Sequence, residues 1–157
     1  MTPPATPSPK ILVYGYGNPG REDDGLGPLC IENLEGSGGS WGTEVEFHSH
    51  YQLNIEDALL ISEKDIVIFV DAAREGENAF FFKEVEPTQR LSFFTHGLAA
   101  EDVLGLSLHL FRKRPRTYLL GIKGYGWGIG EGLTANARDN LRQAISFLRG
   151  KLESTVE

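Results

Sequence analysis

Asp24, Asp71 and His96 stand where chemistry could be done. Each falls where a strand-like run gives way to a loop or a helix. Two carboxylates and an imidazole form a three-ligand set for a divalent transition metal and leave coordination positions open. One of the carboxylates could also orient or deprotonate a water molecule. Plainer readings stand beside these. Asp71 follows a very apolar run and also suits a turn, and His96 also reads as an ordinary loop histidine. His48 and His50 share one face of TEVEFHSH at i, i+2, but His50 has no carboxylate partner that can be placed. His109 precedes Arg112-Lys113-Arg114 and reads as a solvated helix end. No serine lies in a G-x-S-x-G elbow, and Cys30 has no evident activating base, so a covalent nucleophile is not expected.

The element that positions Asp24 is KILVYGYGNPGREDDGLGPLCIENL, residues 10–34. Ile11-Leu12-Val13-Tyr14 is a short apolar run of the kind that fills a buried strand. Gly15, Gly17 and Gly20 interrupt it. Leu26, Leu29, Cys30 and Leu34 then recur at helical spacing. In open α/β sheets, ligands bind outside the carboxyl ends of the strands, where this loop lies. The glycines look like a dinucleotide fingerprint, but that motif leaves the helix N-terminus free for a pyrophosphate. Here Glu22, Asp23 and Asp24 occupy it, so a phosphate is repelled and a cation attracted. Capping of the helix by Asp23 remains an alternative. Gly25 and Gly27 weaken a helix, and close approach of another chain or of a metal is the expected reason for them. Cys30 falls on the apolar side of this helix as buried filler.

The remaining elements follow in order. Residues 35–42 read as a flexible connection. Thr43–His50 alternates as a polar strand at a sheet edge. Asn54 is a good N-cap for a helix to Lys64 with Ile55, Ala58 and Leu59 inward. Asp65–Val70, DIVIFV, is the most apolar run and must be a central strand, ending at Asp71. Ala79–Val85 is strand-like again. The gap before it is too short for a parallel crossover, which takes a dozen or more residues, so this fourth strand is expected to run antiparallel. Residues 87–94 read as a loop. Thr95-His96-Gly97 opens a third helix, 98–111, with Val103, Leu106 and Leu110 on one side. Thr117–Lys123 is a fifth strand. Gly124–Gly132 is a glycine-rich loop. Thr134 caps a last helix to about Leu152, with Ala137, Leu141, Ile145 and Leu148 inward.

The 157 residues read as one domain over 10–153, after a proline-rich tail over 1–9 with no signal-peptide pattern. A net charge of −7 argues against nucleic acid, which selects a basic face. The single cysteine excludes an internal disulfide and a cysteine-rich zinc site. No run reaches membrane-spanning length. A cytoplasmic monomer is expected.

ILVYGYGNPGREDDGLG resembles the opening of the hydrogenase maturation endopeptidases. The likeness continues at Tyr51-Gln52-Leu53, at DIVIFVDAA, at THGLAAEDVLGL and at Gly130–Thr134, nearly the whole chain after Lys10. The resemblance implies a three-layer α/β/α sandwich on a five-stranded, mostly parallel sheet with one antiparallel strand. It implies an endopeptidase that removes the C-terminal extension of a nickel-iron hydrogenase large-subunit precursor once nickel is in place. It puts the metal contacts on Asp24, Asp71 and His96, with nickel presented by the substrate rather than permanently bound. Tyr51 departs from the family, where a histidine is common. Two rivals stand beside this reading. Gly15–Gly20 also matches the G-x-x-N-P-G opening of peptidyl-tRNA hydrolases, though Asp23-Asp24 occupies the place of their catalytic histidine. A maturation factor that binds nickel or the precursor without cutting is the other.

Overall fold

The computed structural model describes residues 8–37, 41, 44–89 and 97–154. Its centre is a sheet of β1 (Lys10–Tyr16), β2 (Glu44–His50), β3 (Ile66–Ala73), β4 (Phe80–Glu84) and β5 (Arg116–Lys123) in the order β2-β1-β3-β5-β4. The pairings of β1 with β2, β1 with β3 and β3 with β5 are parallel. β4 runs antiparallel to β5, with Phe81 opposite Gly121. The short β3–β4 gap forces that reversal, and the polar β2 lies at an edge as its composition requires.

The two faces of the sheet follow from period-2 alternation. Ile11, Val13, Ile66, Ile68, Val70, Leu120 and Ile122 point to one face, where α1 (Leu26–Gly36) and α4 (Ala135–Ser154) cover them. Leu12, Tyr14, Val67 and Phe69 point to the other, under α2 (Asp57–Ser62) and α3 (Ala100–Phe111). The result is the three-layer α/β/α sandwich. Each fully buried aliphatic side chain adds about 1.5–3 kcal/mol. The central strands are buried on both faces, which is why DIVIFV reads as a continuous apolar run. Among the described residues no helix is long and apolar enough to cross a membrane.

Several expectations are corrected. β3 does not end at Asp71. Its pairing with β5 continues through Asp71–Gly121 to Ala73–Lys123, so Asp71 is a strand residue. Asn54 does not cap a helix. Its amide donates to the Asp57 carboxylate at 2.8 Å, and the chain turns before the shorter α2 begins. Ala58 and Ile61 face inward, while Ile55 and Leu59 are about half exposed. In α3, Val103 and Leu106 are buried but Leu110 is exposed. The helix begins at Ala100, where the Asp102 carboxylate accepts the Ala99 amide at 2.9 Å. In α4 the expected inward set holds for Ala137, Leu141 and Leu148, with Ile145 partly buried against the same cluster.

Candidate functional site

Adjacent residues Asp23 and Asp24 take different roles in the 3-10 turn Glu22–Gly25. Asp23 is wholly buried. Its carboxylate accepts the amides of Tyr125 (2.7 Å), Gly126 (2.9 Å) and Thr134 (2.8 Å), and the Thr134 hydroxyl (2.7 Å). Burial alone would raise its pKa, yet these four donors hold it below the ordinary carboxylate range. Asp23 therefore does not cap α1. It joins the turn to the glycine-rich loop after β5 and to the start of α4. Thr134 completes the link, because its hydroxyl oxygen also accepts the Ala137 amide at 3.4 Å as the N-cap of α4.

Asp24 is half-buried and faces the loop after β1. Its Oδ2 accepts the Asn18 amide at 2.8 Å. The glycines beside it are explained by the chain's own backbone rather than by a metal or another chain. A Cβ at Gly27 would lie 2.5 Å from the carbonyl oxygens of Tyr16 and Val70, and one at Gly25 would meet Pro19 Cα at 2.8 Å. Small residues here let α1 start directly over the ends of β1 and β3.

Asp71 comes from β3, on the face covered by α3. Burial, offset in part by the Ala72 amide at 2.8 Å and reinforced by the charge of Asp24, pushes its pKa up to about 7. A hydrogen bond with the Tyr16 hydroxyl also favours the ionised form. Across the sheet its neighbour is Gly121, whose missing side chain is replaced by the ring of Phe81. That flank offers hydrocarbon instead of donors. Tyr16 is the last residue of β1. Burial, then the charge of Asp71, raises its pKa, and Glu101 of α3 adds to the same effect.

The structure thus brings Asp24 and Asp71 into electrostatic contact at the carboxyl ends of β1 and β3. His96 lies outside the described residues. Among the described residues no three His, Cys, Asp or Glu side chains gather as a metal-binding group. A pair of like-charged carboxylates suits a dication, which would offset the Asp24 charge that adds to burial in raising Asp71. His48 packs edge-on against Tyr14 at 4.8 Å, and its ring lies 5.9 Å from that of His50. Burial pushes the Cys30 thiol up to about 12, as suits an inert core residue. Tyr16 and Glu101 were not singled out from the sequence. The only signal for Tyr16 was a polar tip at the end of an otherwise apolar strand.

No sequence-family model and no curated protein matches this chain. Its fold is that of solved hydrogenase maturation proteases. The maturation protease HycI from Thermococcus kodakarensis superposes with a TM-score of 0.72 at 21% identity, over 94% of both chains. The maturating endopeptidase HybD from E. coli gives 0.73 at 21% identity, over 92% of this chain and 93% of its own. A hydrogenase 2 maturation peptidase from a thaumarchaeon gives 0.67 at 18%, over 91% and 97%.

Proposed function

We propose that this chain is an endopeptidase that removes a C-terminal extension from the precursor of a nickel-iron hydrogenase large subunit after nickel insertion. The observation that carries the reading is the coupled Asp24–Asp71 pair at the carboxyl edge of a sheet shared with solved maturation proteases. Asp24, Asp71 and His96 are the contacts to nickel, which arrives as part of the substrate. Asp71 takes a proton from the attacking water as the water oxygen bonds to the scissile carbonyl carbon. It returns that proton to the departing amide nitrogen as the C–N bond breaks. Tyr16 fixes the carboxylate by hydrogen bonding. Two carboxylates form an open site that by itself takes zinc or copper over nickel, so the choice of nickel rests with the precursor.

The test is a cross of chelated or untreated protein against metal-free or nickel-loaded precursor, read as a C-terminal fragment by mass. Cleavage is expected only with nickel-loaded precursor, whether or not the protein was chelated. If chelation of the protein alone stops cleavage and zinc restores it, the metal belongs to the enzyme. Binding of the loaded precursor with no fragment would instead favour the non-cleaving maturation factor. Hydrolysis of peptidyl-tRNA would favour the tRNA-directed rival.

A further inference from the structure

A recess adjoins the turn that carries Asp24. It has a volume of about 280 Å³ and is lined by Gly17, Pro19, Pro28, Ser49, His50 and Tyr51. Three observations tie it to the candidate site. Gly17, in its wall, packs so tightly on the Asp24 turn that a Cβ there would collide with the Asp24 carbonyl, and its φ of 141° is one that side-chain-bearing residues rarely adopt. The next residue, Asn18, donates its amide to the Asp24 carboxylate at 2.8 Å. On the opposite side the Gly17 amide donates to the His50 carbonyl at 3.1 Å, which binds the loop after β1 to the end of β2.

The walls define what fits. Pro19 and Pro28 present ring carbons and lack an N–H donor, so two sides of the recess are hydrocarbon. The Tyr51 ring stands at the rim, 71% exposed, where it can be covered by an occupant. The volume falls just below the range of small-molecule pockets. It takes one apolar side chain and excludes a helix or a second strand.

Building on the endopeptidase reading, we propose that this recess is a specificity subsite that receives one medium-sized apolar side chain of the precursor next to the cleaved bond. Its position beside Asp24 sets which peptide bond comes to the carboxylates. Gly17 is the shared wall through which occupancy of the recess and placement of the bond are coupled.

The experiment uses nickel-loaded precursors in which the residue before or after the cut is varied through Gly, Ala, Val, Leu, Met and Phe. The unaltered protein should prefer Leu or Met over Gly by about tenfold or more at one of the two positions. Ser49→Leu and Ser49→Trp fill the recess from β2 and should move the preference toward Gly and Ala. Pro28→Ala enlarges it and should move the preference toward Phe. Equal selectivity in the unaltered protein at both positions, or a preference that none of the three variants shifts, would overturn the subsite. If the filling variants cut nothing, Pro28→Ala decides by itself. A protein that cuts no loaded precursor at all would overturn the endopeptidase reading first, a result distinct from cutting without preference.

Discussion

Asp23 and Asp71 are both aspartates at the carboxyl edge of one sheet, and their surroundings drive them in opposite directions. Asp23 is fully enclosed, but four donors converge on it from the loop after β5 and the start of α4. Asp71 is less enclosed, with the Ala72 amide and the Tyr16 hydroxyl on one side, the Phe81 ring over its neighbour Gly121, and the charge of Asp24 nearby. Burial alone does not decide whether a carboxylate stays ionised. The supply of donors does. The Asp23 corner is a structural joint, and the Asp71 corner has been left short of donors, as sites that must bind or move a charge often are.

Substitution separates the two corners most widely. If the proposed endopeptidase reading holds, Asp71→Asn, Asp24→Asn or His96→Ala should reduce precursor cleavage by about 10³-fold or more while thermal melting is retained, since that reading makes each a contact to the reacting groups. Cleavage within a few-fold of the unaltered protein would assign that residue to structure. Asp23→Ala should behave in reverse. It strands three amides and a hydroxyl, and should lower stability by about 3 kcal/mol. For a chain of this size that is a fall in Tm of roughly 6–12 °C.

Titration sharpens the contrast. The folded-state pKa of Asp71 lies above its ordinary 3.8, so the folded chain holds a proton that the unfolded chain releases. Its contribution to stability is intact below 3.8 and is lost as pH rises toward about 7. Asp71→Asn should flatten that part of the curve in denaturant titrations across pH. Asp23 has the opposite sign. Its contribution is present above the ordinary carboxylate pKa and disappears as pH falls through its depressed value. Tyr16→Phe should have the smallest effect, with cleavage reduced up to about tenfold through loss of one hydrogen bond to Asp71. An unchanged rate would remove Tyr16 from the positioning of Asp71.

The fold was largely legible in the sequence, because the strand alternation, the short β3–β4 gap and the buried DIVIFV run all act through local pattern. Asp24 and Asp71 were legible as carboxylates where apolar runs give way to polar ones. The roles of their neighbours were not. Asp23 looks like a helix cap until the loop at 124–132 folds back from over 100 residues away and supplies its donors. Gly25 and Gly27 look like room for a ligand until the backbone of β1 and β3 fills that room. The inward faces of α2 and α3 differ from expectation at Leu59 and Leu110, because helical spacing marks a stripe without showing how much of it the core covers.

The strand order also has a consequence for how the chain assembles. β5 is the last strand made, yet it sits between β3 and β4. A growing chain can pair β1 with β2 and with β3 early, but β4 has no partner strand until residues 116–123 arrive. Asp23 waits longer still, for Thr134. Long-range pairings of this kind form slowly. The loop that carries Asp24 therefore gains its anchor only after nearly the whole sheet is complete, so in a partly synthesised chain the carboxyl edge of the sheet is unfinished.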